Sequence, residues 1–191
     1  MRKVFLDCGA HKFEGLREFV NILNIDEDWV VHSFEANPTV TQNFKSNLDE
    51  EWKFSHTMHE CAVGARDGKI SFVSEYQNEP VGGMGSRLAC NWHDGIYDYG
   101  GGRLYEVDII NLPEWIKNNF NEDDEIHIKL DVEGAEFEIL TELTKDIPPQ
   151  IKSMYIEWHE RFFPTELDKA GERHKFSTLI RQAGIKLEDW I

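Results

Sequence analysis

Basic residues are scarce in this chain. Its 191 residues include 20 Lys and Arg against 36 Asp and Glu, which gives a formal charge of −16. Proteins that bind nucleic acids or anionic membranes draw much of their affinity from Lys and Arg. Because the sequence has no basic cluster, we expect neither a nucleic acid nor a membrane surface as a partner.

Long apolar runs and cysteines are also few. No run of about 18 apolar residues is present, so no helix is expected to cross a membrane. The apolar part of the first residues, MRKVFLDCGA, is short and is interrupted by Asp7, unlike a secretory leader. The three cysteines (Cys8, Cys61 and Cys90) form no C-x-x-C pair, which favours a reduced compartment and excludes a cysteine-based structural zinc site. We therefore expect a cytoplasmic protein.

Hydrophobic residues, at 40%, are sufficient for a core, and their pattern changes period along the chain. Short apolar runs typical of strands lie at residues 3–8, 29–34, 59–63, 70–73, 104–108, 125–131, 151–158 and 185–191. Apolar residues spaced as on a helix lie at 16–23, 40–48, 112–120, 135–143 and 176–183. This alternation predicts an α/β fold in one domain over residues 1–191, with a doubly wound, mostly parallel sheet and helices on both faces.

A long irregular loop is predicted at about residues 76–103. It contains the segments GGMGS and GGG together with several aromatic residues. Loops of this length are usually functional lids or mobile segments. The alternative is a loop whose aromatic side chains pack on the body of the domain.

Small and polar residues follow the predicted strands, where ligands bind in open α/β sheets. Asp7 lies at the end of the first predicted strand, and Gly9, Ala10 and His11 follow it. A glycine there lets a ligand approach the backbone, and the next helix offers free N–H groups. This segment has neither the G-x-G-x-x-G spacing nor the G-K-[ST] of a P-loop. An ordinary turn glycine is the alternative.

Glu35 ends the second predicted strand. It lies 20 residues after Gly15, the separation expected for a carboxylate that accepts hydrogen bonds from ribose hydroxyls. The alternative is a solvated loop carboxylate. Asn37 and Pro38 follow it as a natural helix start.

Asp131 ends one further predicted strand, and His159 follows another. Asp131 could face a cation or orient a substrate, whereas Glu133 and Glu136 could simply complement a helix dipole. Strand alternation puts Glu157 and His159 on one face, which suits a general base; a surface histidine is the alternative. Asp131, Glu157 and His159 could also hold Mg²⁺ or Mn²⁺, although we expect no metal.

Six segments of the sequence resemble the FkbM-type S-adenosylmethionine-dependent methyltransferases. They are VFLDCGAH, HSFEANP, ECAVGARDGKISF, VDIINLPEWI, IHIKLDVEGAEFEIL and MYIEWH. IKLDVEGAE is the most specific of these, and the first two are shared more widely among class I methyltransferases. The resemblance implies a Rossmann-like fold, S-adenosylmethionine as cofactor, and methyl transfer to oxygen of a small molecule or sugar.

The same resemblance implies the roles of individual residues. Those implied to bind the cofactor are Asp7, Gly9, Ala10, His11, Glu35, Asn37, Cys61, Ala62 and Ser86. The first four would line its methionine part, Glu35 would hold the ribose with Asn37 close by, and Cys61 and Ala62 would lie near the adenine. Asp131 would lie near the transferred methyl group with His159 beside it, and one of these two would be the catalytic base.

The first motif departs from the family pattern D-x-G-A-N-x-G. His11 stands in place of Asn and Phe13 in place of Gly, with Gly15 two residues later, as a two-residue insertion would produce. This departure favours one alternative, a cofactor-binding module without turnover. A nucleotide-dependent oxidoreductase is a second alternative, although the sequence lacks a Tyr-x-x-x-Lys pair. Exposed sheet edges also suggest a homodimer.

Overall fold

A computed structural model describes residues 1–44, 52–74, 87–88 and 103–190 of the chain. Its strands are β1 (Lys3–Cys8), β2 (Trp29–Phe34), β3 (Ser55–His59), β4 (Ala62–Gly64), β5 (Gly68–Ser74), β6 (Arg87–Leu88), β7 (Arg103–Asn111), β8 (Glu125–Leu130), β9 (Ile151–Ile156) and β10 (Lys186–Asp189). Its α-helices are α1 (Glu14–Ile22), α2 (Pro38–Phe44), α3 (Leu112–Asn119), α4 (Glu136–Leu143) and α5 (Lys169–Gln182).

Six strands form the main sheet in the order β10-β9-β8-β1-β2-β3, and all their pairings are parallel. Parallel neighbours need crossover connections, and α1, α2, α4 and α5 lie in those connections. The chain builds outward from β1 to β3 and then continues from β8 on the other side of β1. The predicted doubly wound sheet is thus confirmed, and its switch point lies between β1 and β8.

Helices cover both faces of this sheet. Side chains alternate along a strand, so Val4 and Leu6 of β1 face a core shared with α3, α4 and α5. Phe5, between them, faces a second core with Leu16 and Phe19 of α1. Because both faces are buried, β1 is a continuous apolar run up to Asp7 rather than an alternating one.

A smaller sheet has the strand order β4-β7-β5-β6, with β5 antiparallel to both of its neighbours. The strand expected at residues 59–63 is wrong: β3 ends at His59 in the main sheet and β4 begins at Ala62 in the small one. The apolar pattern runs through this break, so periodicity alone cannot locate it. Apart from Arg87–Leu88 in β6 and Arg103, the loop expected at about 76–103 lies almost wholly outside the described residues.

The longest of the described helices is α5, with 14 residues. Among them, none is both long enough and apolar enough to cross a membrane.

Candidate active site

The turn after β1 touches the end of β8 backbone to backbone. Gly9 has φ +83°, and a Cβ atom at this position would lie 1.8 Å from the carbonyl oxygen of Asp131. The N–H of Asp131 donates to the carbonyl of Cys8 at 3.1 Å, and the N–H of Gly9 donates to that of Phe34 at 3.1 Å. Glycine is therefore required at position 9 because three strand ends approach one another closely there. The alternative of an ordinary turn glycine does not account for this contact.

Phe13 has a backbone conformation that favours glycine, with φ +65°. This conformation costs about 1 kcal/mol for a residue with a Cβ atom. The ring is 2% exposed and packs in the core beneath α1, edge-on to His56 at 5.6 Å. Burying a phenyl ring contributes about 2 kcal/mol, which offsets that cost. The departure from the family motif is thus accommodated in the core.

Glu35 joins the loops that follow β1 and β2. Its Oε2 accepts the N–H of His11 at 2.7 Å, and its Oε1 accepts the N–H of Asn37 at 2.6 Å. Burial raises the pKa of this carboxyl to about 7, although the two backbone hydrogen bonds act in the opposite direction. The solvated loop carboxylate considered above is therefore wrong, since Glu35 is buried. Each oxygen still has a lone pair for a further donor.

Asn37 begins helix α2, as predicted. Its Oδ1 accepts the N–H of Thr39 at 3.0 Å, and its carbonyl accepts the N–H of Thr41 at 3.0 Å. The Asn37 side chain is buried. Because its N–H also bonds Glu35, the cap holds that carboxylate in place.

The buried side chain of Lys129 contacts the ends of both β1 and β8. Its Nζ lies 3.3 Å from Asp7 Oδ1 and 3.1 Å from Asp131 Oδ2, and it donates to the carbonyl of Gly9 at 2.8 Å. Burial alone would lower the pKa of this amine, but the two carboxylates outweigh burial and raise it. Lys129 is thus a buried ammonium group. Its only signal in the sequence is a lysine inside the apolar run IHIKL, and from that run alone Lys129 is not expected at the site.

Asp7 is wholly buried beside Lys129. Burial raises the pKa of its carboxyl, while the charge of Lys129 acts against that rise. Within the described part of the chain, neither carboxylate oxygen makes an aligned hydrogen bond. The Lys129 ion pair is therefore the main interaction that compensates the burial of this charge.

His159 lies among four carboxylates, and its side chain is 0% exposed. Its Nε2 is 3.2 Å from Glu133 Oε2, 3.4 Å from Glu157 Oε1 and 3.9 Å from Asp131 Oδ1. Its Nδ1 is 3.3 Å from Glu136 Oε1. Burial opposes a charge on this ring, but the carboxylates led by Glu136 outweigh it and raise the pKa. The alternative of a surface histidine is wrong.

Glu136 connects the start of α4 to the end of β9. Its Oε2 accepts the N–H of Gly134 at 2.9 Å, and its Oε1 accepts the N–H of His159 at 2.7 Å. The side chain is fully buried. A residue that the sequence suggested only as a complement to the helix dipole thus fixes the position of His159.

The remaining residues predicted to bind the cofactor are Cys61, Ala62 and Ser86. Cys61, between β3 and β4, packs against the core that contains Cys8, and burial raises the pKa of its thiol to about 11. Ala62 begins β4 and packs with Phe72 in the small sheet. Ser86 lies outside the described residues.

These strand ends form one acidic crevice at the carboxyl edge of the main sheet. Its described carboxylates are those of Asp7, Glu35, Asp131, Glu133, Glu136 and Glu157. Its described cationic groups include Lys129, His159 and Arg161, which pairs with Glu157 at 3.4 Å. The carboxylates outnumber them. The crevice therefore favours a ligand that carries positive charge.

Comparison with known proteins identifies the family. Residues 7–182 match the family described as the methyltransferase FkbM domain. No match was found among curated proteins or among solved structures. The matched range includes all the strand ends of the crevice, and it does not support an oxidoreductase. The chain belongs to the FkbM methyltransferase family, and its reaction class is methyl transfer.

Proposed function

We propose that this protein transfers a methyl group from S-adenosylmethionine to an oxygen atom of a small-molecule or sugar-like acceptor. The observation that carries the proposal is Glu35, a buried carboxylate beside the backbone contact of Gly9 with Asp131. A carboxylate at the end of β2 suits ribose hydroxyls, which are hydrogen-bond donors. The excess of carboxylates also suits a cofactor that carries a sulfonium and an ammonium group.

The residues at the crevice fit this cofactor. Asp7, Gly9, Ala10 and His11 would line its methionine part, and the free lone pairs of Glu35 would accept the ribose hydroxyls. Asn37 would lie beside the ribose, and Cys61 and Ala62 would lie near the adenine. The alternative of a module without turnover loses its main support, because the ring of Phe13 packs in the core.

The chemistry needs alignment and removal of one proton. The bound cofactor supplies a methyl carbon that its sulfonium makes electrophilic, and the protein aligns the acceptor oxygen with it. We assign proton removal to Asp131, whose carboxylate is 23% exposed and can reach the acceptor. His159, enclosed behind it, and Lys129 would position that carboxylate.

Cofactor binding should weaken as the pH falls. The pKa of Glu35 is about 7, and only the carboxylate accepts both ribose hydroxyls. The group is then mostly ionised at pH 8 and mostly protonated at pH 6. We expect the dissociation constant of S-adenosylhomocysteine, measured by calorimetry, to be about tenfold larger at pH 6 than at pH 8.

Two variants control this measurement. Glu35→Gln should weaken binding by about 10- to 100-fold at pH 8 and remove the pH dependence. Glu18→Gln, which changes an exposed carboxylate on α1, should behave like the unaltered protein. Absence of binding to the unaltered protein would refute the cofactor, and a pH profile that persists in Glu35→Gln would refute the role of Glu35.

Asp131→Asn should abolish turnover and preserve cofactor binding. Loss of a general base usually costs 10²- to 10⁴-fold in rate, so we expect kcat to fall by at least about 100-fold. Release of S-adenosylhomocysteine is measured with a panel of sugars and hydroxylated small molecules, and the variant is compared on the best acceptor. His159→Gln should also lower kcat. Unchanged turnover in both variants would exclude this assignment.

A further inference from the structure

We propose that Asp131, Glu133 and His159 bind one divalent metal ion of the first transition series. Their ligand atoms all lie within 4.8 Å of one another. The Nε2 of His159 is 3.2 Å from Glu133 and 3.9 Å from Asp131. Atoms bound to one octahedral ion by bonds of about 2.1 Å lie about 3.0–4.2 Å apart. The two distances from His159 lie within this range, and the third pair of ligand atoms lies within 4.8 Å.

His159 is the independent sign that this cluster has a ligand. Its ring is 0% exposed, yet neither ring nitrogen makes an aligned hydrogen bond within the described residues. Buried polar groups without hydrogen bonds are costly and rare in folded proteins. A metal ion bound to Nε2 would satisfy the nitrogen that faces the carboxylates.

Glu136 holds the backbone of His159, and its carboxylate lies on the Nδ1 side of the ring. A histidine that binds a metal usually directs its other ring nitrogen toward a carboxylate, which fixes the tautomer. Here Glu136 Oε1 lies 3.3 Å from Nδ1 and also accepts the backbone N–H of His159 at 2.7 Å. The N–H of Gly134 in turn holds the second oxygen of Glu136 at 2.9 Å. The metal-facing side of the ring is therefore Nε2.

The charges and the donor types select the class of ion. Four carboxylates surround one imidazole, and the nearby ammonium of Lys129 is shared between Asp131 and Asp7. A divalent cation would neutralise part of this excess. One imidazole nitrogen with carboxylate oxygens suits Mn²⁺ better than Mg²⁺, which prefers oxygen ligands alone.

A metal ion here differs from the expectation that the site holds none, and its ligand is Glu133 where Glu157 was considered from the sequence. The ion would bind the acceptor hydroxyl and lower its pKa, so that the proton is lost to solvent and Asp131 acts as a metal ligand rather than as the base. That role rests on the proposed function, but the metal site itself does not.

The test is a direct titration of the purified full chain with MnCl₂ after treatment with EDTA. Free Mn²⁺ is counted from its electron paramagnetic resonance signal. We expect one ion per chain. Glu133→Gln should raise the dissociation constant at least tenfold, and so should His159→Gln. Glu138→Gln, which removes an exposed carboxylate from helix α4, should leave it unchanged.

Each outcome decides the proposal. Absence of Mn²⁺ binding by the unaltered protein overturns it, as does equal binding by Glu133→Gln and Glu138→Gln. If His159→Gln does not fold, the milder Glu133→Gln still decides the matter, and circular dichroism verifies its fold. Calorimetry with S-adenosylhomocysteine on the same sample separates the two hypotheses: cofactor binding without Mn²⁺ binding refutes only the metal site, and the reverse refutes only the cofactor.

Discussion

Gly9→Ala is expected to destabilise the protein by about 3–5 kcal/mol. The new methyl group would lie 1.8 Å from the carbonyl oxygen of Asp131, far inside van der Waals contact. This contact is backbone against backbone, so rotation of a side chain cannot relieve it. The ends of β1 and β8 would have to move apart, and the hydrogen bond from Asp131 N–H to the Cys8 carbonyl would break.

The matched control for this variant is Gly184→Ala. Gly184 has φ +81°, nearly the same as the +83° of Gly9, but a Cβ atom there would meet no atom of the described residues within 4 Å. It therefore has the backbone strain without the clash, and the expected loss is about 1 kcal/mol. Urea unfolding followed by circular dichroism gives both values. Equal losses in the two variants would show that backbone strain, rather than contact with Asp131, makes glycine necessary at position 9.

Gly9→Ala should also weaken cofactor binding at the candidate site. Glu35 is held partly by the N–H of His11, two residues after Gly9, at 2.7 Å. A displaced turn would move that donor away from the carboxylate. Any Gly9→Ala protein that folds should therefore bind S-adenosylhomocysteine more weakly, whereas Gly184→Ala should bind it normally.

The order of strands and helices follows from apolar periodicity. The predicted bounds of β1 and β2 agree with the structure, because both are short apolar runs that begin and end in polar segments. The break between β3 and β4 was missed, because His59 to Val63 reads as one run although its two ends pair in different sheets. Pairing is a long-range property that a local pattern does not contain.

The sequence predicts part of the candidate site, and the rest depends on long-range contacts as the strand pairing does. Ligands of an open sheet lie at strand ends, and this rule led to Gly9, Glu35, Asp131 and His159 from the sequence alone. Lys129 was missed and Glu136 undervalued. Lys129 acts on Gly9, 120 residues away, and Glu136 acts on His159, 23 residues away. The local sequence around Lys129 or Glu136 predicts only the element that contains it. The partner of each residue lies on a different element, so the contact cannot be predicted from the local pattern.

Lys129→Met should be the second strongly destabilising variant, with a loss of about 3–5 kcal/mol. Methionine matches the length and apolar character of the lysine stem but cannot pair with the carboxylates. Asp7, which is 0% exposed, would then keep a buried charge without a cation beside it. The carbonyl of Gly9 would also lose its 2.8 Å donor. Lys145→Met, which changes an amine that is 62% exposed and paired with Glu142, should cost less than about 0.5 kcal/mol.

A double-mutant cycle with Asp7→Asn shows why the loss occurs. If Lys129 stabilises the fold by compensating Asp7, the amide in Asp7→Asn no longer needs a cation, and the double variant should be more stable than Lys129→Met alone. If Lys129 acts only through packing, the two losses should add. Urea unfolding of the four proteins at one pH distinguishes these cases. A double variant more stable than Lys129→Met would mean that the buried ammonium compensates the negative charge concentrated in the crevice. The cofactor and metal proposals both depend on that negative charge.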